Sequence, residues 1–480
     1  MSAAGPASRG RFRLSRRAVL GAAAASGAAA AGVRLLPWTQ TALGGHEQWV
    51  SPLGSEKARV AHLLRRATLG ATMEQFEQAA SRGFSRTVDQ LLESPPAPPP
   101  AFPPASDPGV PQRLNVGQLQ LWWVEHMLNS PTPFAERMTL FWHGHFTSDY
   151  RKVGLMTPFI HWQNLTWREM ALTDLRSMLM RVTIDPAMLR YLDLATSTGR
   201  NPNENYAREL MELFSLGVGH YTEDDVRAAA QALAGWVEPP PDGFVNVTVD
   251  AKNGVTRRYP TYANPATGVH VSGRAYRGGP LTFLGKRASF DTQAVIDQIL
   301  AQPATAHFIA GKVAEHFLGG SVDPSLLRAL GDRFRGSRYD MKTLMHALFT
   351  SPEFTAAQSY RALVKTPVEM MVHALKAVGA THLGRLVVQS SPNMGQVLFD
   401  PPDVGGWPNN QAWISSNNLV ARVNFVFTLL QQVKTLPAAK DAVVHLDGVF
   451  GPQTAGLLNR AGDDQARWLL ALASPEFQLK

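Results

Sequence analysis

Charged side chains cluster in residues 202–214 at spacings that suit one side of an α-helix. Glu204, Arg208 and Glu212 are four residues apart, so a helix would set the guanidinium between two carboxylates. Glu209 lies further round, where burial could raise its pKa and make it a general acid. The segment predicts either a hydrolytic site or a solvated helix face with weak surface ion pairs. The predicted catalytic residues are Glu204, Arg208, Glu209 and Glu212, and Asn205 is predicted to bind substrate.

Two histidines flank a glycine in the segment Phe141-Trp142-His143-Gly144-His145-Phe146. In a continuous helix, residues two apart point in nearly opposite directions, but Gly144 could end the helix and let both rings converge. Imidazole together with carboxylate suits Fe, Mn or Zn, so His143 and His145 are candidate ligands of a divalent metal ion. The alternative is one core histidine and one exposed one. The HExxH signature of metalloproteases is absent from the chain.

A loop rich in proline and glycine covers residues 393–408 and is predicted to be rigid and irregular. Aromatic faces beside polar groups suit the binding of a sugar or a peptide. The predicted substrate-binding residues of this region are Asp403, Trp407 and Trp413. The alternative is a structural loop that packs its tryptophans onto the core.

Hydrophobic periodicity predicts a mainly α protein, with a large multi-helical body and a small insertion that contains a β-hairpin. The insertion is placed at about residues 237–290, because residues 244–249 alternate, Asn253-Gly254 supplies a turn, and residues 255–259 return. The predicted organisation is a signal peptide and spacer over 1–45, an N-terminal helical arm over 46–94, a proline-rich linker over 95–112, and the main helical domain over 113–480.

Composition excludes several classes of protein. The chain has 480 residues and no cysteine, which excludes disulfides, thiol catalysis and cysteine-ligated metals. Its formal net charge of +8 is misleading, since six of its 46 basic residues lie in residues 1–34, where no acidic residue occurs. The remaining chain is nearly neutral, so no nucleic-acid partner is expected.

The first 45 residues have the features of an export signal. Arg16-Arg17 within Arg13-Leu14-Ser15-Arg16-Arg17 is a twin-arginine pattern, and a weakly apolar run rich in Ala and Gly follows over residues 18–33. That run is too short to span a membrane, and no later stretch of the sequence is long and apolar enough to do so. We therefore expect passage through the twin-arginine (Tat) translocase and a periplasmic or extracellular location.

Several segments together resemble the bacterial family called domain of unknown function 1800, from about residue 58 to the C-terminus. They are His62-Leu63-Leu64-Arg65-Arg66, Phe141-Trp142-His143-Gly144-His145, Pro202-Asn203-Glu204-Asn205-Tyr206-Ala207-Arg208-Glu209-Leu210, Pro401-Pro402-Asp403-Val404 with Gly406-Trp407-Pro408, and Ser474-Pro475-Glu476-Phe477. The family name implies no established activity. The resemblance does imply that the charged stripe of residues 204–212 is more than solvated surface, and that export with a co-exported partner protein is to be expected.

Three hypotheses about function follow. The first is an exported hydrolase that acts on a cell-envelope or extracellular polymer, with the histidines forming the wall opposite the charged helix. The second is an exported protein that binds a metal or cofactor through the same residues. The third is a non-enzymatic protein that binds an envelope polymer or partner through the tryptophan loop. The first two require the histidines and the charged helix to converge.

Overall fold

The computed structural model describes residues 49–102, 114–238, 271–319 and 322–480, together with the backbone of residues 244–250, 255–260 and 270. Within these residues the protein is mainly α-helical, which confirms the predicted fold class. The predicted signal peptide and much of the predicted linker lie outside the described residues. No described helix combines the length and the apolar character needed to cross a membrane.

The first half of the chain forms short helices that end within three or four turns. They are α1 (Glu56–Ala67), α2 (Met73–Arg82), α3 (Phe84–Glu93), α4 (Val116–Asn129), α5 (Pro133–His145), α6 (Tyr150–Val153), α7 (Phe159–Glu169), α8 (Leu175–Thr183), α9 (Pro186–Tyr191), α10 (Asn205–Glu212) and α11 (Glu223–Ala232).

The second half of the chain, after the β insertion, is also built from successive helices. Its helices are α12 (Thr292–Ala301), α13 (Pro303–Phe317), α14 (Pro324–Gly336), α15 (Met341–Phe349), α16 (Pro367–Ala377), α17 (Gly384–Met394), α18 (Ser416–Gln432), α19 (Ala439–Val444), α20 (Pro452–Arg460), α21 (Asp464–Ala473) and α22 (Pro475–Gln478).

Local sequence explains where many of these helices begin. Asp185 precedes Pro186 at the start of α9, and its carboxylate accepts a hydrogen bond from the backbone N–H of Met188. Proline suits the first helical position because the N–H that it lacks would be unpaired there. Thr222 and Asp225 form a reciprocal capping box at the start of α11. Side-chain caps therefore help to fix where helices such as α9 and α11 begin.

The β insertion consists of two-stranded antiparallel pairs. The predicted hairpin is confirmed by strands β2 (Phe244–Asp250) and β3 (Val255–Pro260), which pair in the register Phe244↔Pro260. Strand β1 (Trp236–Val237) pairs with β4 (His270–Val271), and β5 (Leu281–Phe283) pairs with β6 (Lys286–Ala288). The insertion thus adds small ribbons to a helical body and contributes no layer of its own to the core.

Two of the three N-terminal helices, α1 and α3, contribute to the core of the main body, whereas the buried residues of α2 pack with α1 in a smaller cluster. Leu63 and Val88 belong to the same buried cluster as residues of helices α4 to α21. Arg66 is fully buried, and its guanidinium donates hydrogen bonds to the carbonyls of Phe317 and Leu318 at the end of α13. The segment predicted as an arm is therefore integrated with the helices that follow it.

A buried ionic group joins α16 to the segment that follows α22. Both carboxylate oxygens of Glu369 accept hydrogen bonds from the ammonium of Lys480, each at 2.7 Å. The guanidinium of Arg137, on α5, forms an ion pair with the same carboxylate. All three side chains are almost completely buried, so the pairing compensates charges that would otherwise be costly to desolvate.

Candidate functional site

Helix α10 carries the charged stripe on its outer side. Tyr206, Ala207, Leu210 and Met211 are buried, and the Tyr206 hydroxyl donates to Oγ1 of Thr183 at 2.8 Å. This apolar face anchors the helix, so the charged side chains project away from the core. Glu204, Arg208, Glu209 and Glu212 are partly exposed, and Asn205 is exposed. The stripe therefore borders the surface, where a ligand can reach it.

Arg208 pairs with two carboxylates, one of which differs from the prediction. Its guanidinium contacts Glu204 at 3.1 Å and binds both carboxylate oxygens of Glu223 at 2.6 and 2.8 Å. The predicted pair with Glu212 does not form. Glu223 is the first residue of α11, next to α10. Both of its carboxylate oxygens accept from the guanidinium, whereas Glu204 accepts through one oxygen. Arg208 therefore ties α10 to α11.

Glu212 and Glu209 share the next turn of the stripe. Glu212 accepts a hydrogen bond from the Tyr221 hydroxyl at 2.6 Å. Glu209 has no ion-pair partner among the described residues, and its pKa is raised by burial and by the negative charge of Glu212, against a smaller opposing effect of Arg208. Like charges and desolvation both favour the protonated carboxyl. Glu209 is therefore the carboxyl of the stripe that is best prepared to donate a proton.

Tyr191, at the end of α9, brings the charged helix and the tryptophan loop together. Its side chain is only 8% exposed, and no described residue makes a hydrogen bond to its hydroxyl. Burial raises the pKa of the phenol to about 12, and the negative charges of Asp149, Asp403 and Glu209 add to the rise. We call these four residues the Tyr191 cluster. Three carboxylates from three separate segments thus act electrostatically on one phenol.

Short polar contacts hold these segments in place. Asp193, two residues after Tyr191, has a left-handed backbone with φ of 60°. Its carboxylate accepts from the Lys152 ammonium at 2.9 Å and from the Asn205 amide at 3.4 Å. The same ammonium lies 5.6 Å from the centre of the Tyr191 ring. Asp193 therefore connects α6 to the start of α10, directly beside the phenol.

His143 lies in the core and positions the loop that carries Asp403. Its Nε2 accepts a hydrogen bond from the backbone N–H of Phe399 at 3.2 Å, and the carbonyl of Phe399 accepts from the N–H of Tyr150 at 2.9 Å. Phe399 has a left-handed backbone with φ of 64°, which is uncommon for a bulky residue. Burial lowers the pKa of His143 to about 3, so the ring is a neutral acceptor at ordinary pH.

The glycine-tryptophan part of the loop lies against the end of α5. Gly406 has φ of 85°, and a Cβ atom there would stand 2.2 Å from the carbonyl oxygen of Gly144. The Trp407 ring is 5.2 Å from the His143 ring, edge to face, and is partly buried. The motifs at 141–146 and 401–408 therefore form one interface.

The other predicted loop residues have different surroundings. Asp403 is exposed, and its carboxylate accepts a hydrogen bond from the N–H of Gly405 at 2.8 Å. Trp413 is buried in a small separate cluster with Val364 and Leu479. Asp403 thus lies where a ligand could reach it, whereas Trp413 has the surroundings of a core residue.

His145 faces away from His143. Its Nε2 lies 3.2 Å from the carbonyl oxygen of Phe214, just after α10, and its ring stacks on Phe141. Burial, against the opposing effect of the Phe214 hydrogen bond and with a smaller contribution from the charge of Lys312, lowers the pKa of His145 to about 4. In the part of the chain that the structure describes, no three His, Asp or Glu side chains stand close enough to hold a metal ion. The two rings bind backbone groups, and neither meets the carboxylates of α10.

The Tyr191 cluster has the groups needed for general acid–base chemistry. It combines a carboxyl with a raised pKa (Glu209), an exposed carboxylate (Asp403) and a phenol with a free hydroxyl. Asp149 is held as the cap of α6, where it accepts from the N–H groups of Arg151 and Lys152 at 2.7 and 2.8 Å. An acid and a base with different surroundings are the usual requirement for hydrolysis by a pair of carboxylates.

Sequence reasoning missed Tyr191 and Asp149 as site residues. Their positions near other polar residues could have drawn attention to them. Tyr191 lies two residues before Asp193, and Asp149 lies four residues after His145. What the sequence could not indicate is that α6, α9, α10 and the loop of residues 399–407 meet at one place. That meeting depends on contacts between residues far apart in the chain.

Comparison with known proteins gives one match. The model of a family described as "Protein of unknown function (DUF1800)" matches residues 62–479. No curated protein matches the chain, and no solved structure does. The family match covers every residue of the Tyr191 cluster and of the charged stripe.

Proposed function

The chain belongs to the DUF1800 family, and from this premise we propose that it is an exported hydrolase that cleaves glycosidic bonds in a cell-envelope or extracellular polymer, through carboxylates of α10 and of the tryptophan loop and without the wall of histidines expected from the sequence. The observation that carries the proposal is the partly exposed charged stripe of α10, where Glu209 has no ion-pair partner among the described residues and a raised pKa, while the charges of Glu209, Asp403 and Asp149 all raise the pKa of Tyr191. Export is supported by the twin-arginine pattern at residues 13–17.

Three residues of the cluster, Glu209, Asp403 and Tyr191, have roles in this mechanism. Glu209 protonates the leaving oxygen, since its raised pKa keeps a larger fraction of it protonated. Asp403 is the second carboxylate, which activates water or stabilises positive charge on the sugar. The Tyr191 hydroxyl binds and orients the substrate. The histidines act only through the backbone, and the partly buried Trp407 offers part of its ring as a platform for a sugar face.

The test is to compare the release of reducing ends from a panel of envelope and extracellular glycans by the wild type and by the Glu209→Gln variant. We expect the variant to lose activity by 100-fold or more, on the order of the contribution of general acid catalysis. Its free energy of unfolding should be unchanged, because Glu209 has no ion-pair partner among the described residues. Glu74→Gln, on the exposed side of α2, is the matched control and should keep full activity. Full activity of Glu209→Gln would refute the mechanism.

A second candidate is a non-enzymatic protein that binds an envelope polymer. It is favoured by the partial exposure of the charged stripe, where the side chains of Glu204 and Arg208 are 41% and 33% exposed. In that case the polymer binds at the same cluster, and no glycan of the panel releases reducing ends. Equilibrium binding with the polymer recovered intact distinguishes this candidate from the hydrolase.

A further inference from the structure

A cavity of about 630 Å³ lies between the segment that follows α10 and the junction of α12 with α13. Its apolar lining comes from Leu216 and Val218 on one side and from Ala304 and Phe308 on the other. The volume is typical of sites for small molecules, which range from roughly 300 to 1,000 Å³. None of the lining residues belongs to the charged stripe or to the Tyr191 cluster, so the cavity is separate from the site of the proposed function.

Contacts on both sides hold the walls of this cavity in place. Gly217 has φ of 83°, and a Cβ atom there would stand 2.8 Å from Cδ2 of Phe308 on the opposite wall. The backbone N–H of Gly217 donates to the carbonyl of Met211 in α10 at 3.0 Å. At the junction of α12 and α13, the Thr305 hydroxyl donates to the carbonyl of Ile299 at 2.6 Å. The cavity is therefore formed in advance, which lowers the entropic cost of binding.

The ionisable side chains that line the cavity are both imidazoles. They belong to His220 and His307, and no acidic side chain is among the described residues of the lining. Asp332 contacts Nε2 of His307 at 3.4 Å from outside the lining. The ammonium of Lys312 lies 5.5 Å from the centre of the Phe308 ring and forms no ion pair with any described residue. A lysine without a partner beside a lining free of acids favours a negatively charged ligand.

Val218 extends the apolar lining to the surface. Its side chain is 76% exposed, and it lies between Gly217 and Gly219, which both have positive φ. A single exposed valine is ordinary on a protein surface, but this one is part of the lining of a cavity. The cavity thus combines an apolar interior, an apolar edge open to solvent, and a cation next to its aromatic wall.

We infer that this cavity binds a monocarboxylate with an apolar body, of the size of a medium-chain fatty acid. The alkyl chain packs against Leu216, Ala304 and Phe308, and the carboxylate pairs with the ammonium of Lys312. A fully polar ligand would leave the apolar lining without a partner, and a neutral apolar one would leave the lysine unpaired. The inference is independent of the proposed function, because the two sites share no residue.

The experiment measures binding to the full chain by calorimetry, with decanoate and with decanol, which has the same chain length but no charge. We expect one site per chain and about tenfold tighter binding of decanoate. The difference between the two ligands should shrink at high salt, because it comes from an exposed charge. It should also shrink in Lys312→Gln but not in Lys342→Gln, which removes an exposed lysine of α15 outside the lining.

Two variants locate the site. Ala304→Trp fills the cavity and should weaken the binding of both ligands by about tenfold or more. Val218→Glu adds a negative charge at the exposed edge and should weaken the binding of decanoate while leaving that of decanol unchanged. Because Val218 is exposed, this second variant gives a result even if Ala304→Trp does not fold.

Three results would overturn the inference. They are equal affinity for decanoate and decanol, tighter binding of decyltrimethylammonium than of decanoate, and decanoate binding that Val218→Glu leaves unchanged. The first two would show that the cavity does not select a carboxylate. The third would show that decanoate binds elsewhere on the protein.

Discussion

The backbone N–H of Phe399 donates a hydrogen bond to Nε2 of His143, although the two residues are 256 positions apart. The contact makes a histidine of the α5 motif responsible for the backbone conformation of the loop that carries Asp403. His143 is thus a positioning residue, and its effect on the site passes through Phe399. Loss of the acceptor would leave a buried N–H group without a partner.

The first prediction concerns this acceptor. His143→Leu removes it and should lower the free energy of unfolding by roughly 1–3 kcal/mol, the cost of an unsatisfied buried donor. His143→Gln offers an amide oxygen near the position of Nε2 and should retain most of the stability. Urea unfolding followed by tryptophan fluorescence measures both. If the two variants lose the same amount, the hydrogen bond is not the reason for the histidine.

The second prediction concerns pH. Burial lowers the pKa of His143 from 6.5 to about 3, so between these values the unfolded chain binds a proton that the folded protein does not. This contribution to stability is complete above pH 6.5 and is lost as the pH falls towards 3. Within this window the stability of the wild type should fall more steeply than that of His143→Gln, by about 1.4 kcal/mol per pH unit.

The prediction compares the wild type with His143→Gln because other groups titrate in the same pH range. His145, with a pKa lowered to about 4, changes stability in the same direction as His143. Asp185 acts in the opposite direction, since burial raises its pKa to about 7 and its contribution is lost as the pH rises from 3.8. These effects are common to wild type and variant and cancel in the difference. Parallel curves for the two proteins would show that His143 is not a buried neutral imidazole.

The third prediction compares the hydroxyl of Tyr206, which is hydrogen-bonded, with that of Tyr191, which has no hydrogen-bond partner among the described residues. Tyr206→Phe removes the hydrogen bond to Thr183 and should cost about 1 kcal/mol of unfolding free energy. Tyr191→Phe removes a hydroxyl that no described residue binds, so stability should change by less than about 0.5 kcal/mol. Thermal or urea unfolding measures both, and affinity for a bound glycan should fall only in Tyr191→Phe. A structural cost at Tyr191 as large as that at Tyr206 would contradict this assignment.

The fourth prediction concerns the charge next to the proton donor. Glu212 raises the pKa of Glu209, so Glu212→Gln should lower it. The alkaline limb of the pH–rate profile, where the acid loses its proton, should then move to lower pH. The profile is measured with whichever glycan the wild type cleaves, and Glu74→Gln serves as the unchanged reference. A shift to higher pH would assign the alkaline limb to another group.

The sequence predicts the individual helices and strands of this fold better than it predicts which of them are in contact. Periodicity, caps and prolines are local signals, so the chain alone indicates α15 (Met341–Phe349) and the hairpin of β2 and β3. The pairing of Arg208 was predicted only in part, because Glu223 competes from the next helix. The hydrogen-bond partner of His143 could not be predicted from the sequence, since spacing within a motif carries no information on a residue 256 positions away.

The ionic group of Arg137, Glu369 and Lys480 has a consequence for biosynthesis. Its members come from α5, from α16 and from the end of the 474–480 segment, so the group is complete only after residue 480 has left the ribosome. Until then the carboxylate of Glu369 lacks the ammonium of Lys480, and burying the unpaired charges would be costly. Final packing of α16 against α5 is therefore expected to follow the translation of residue 480.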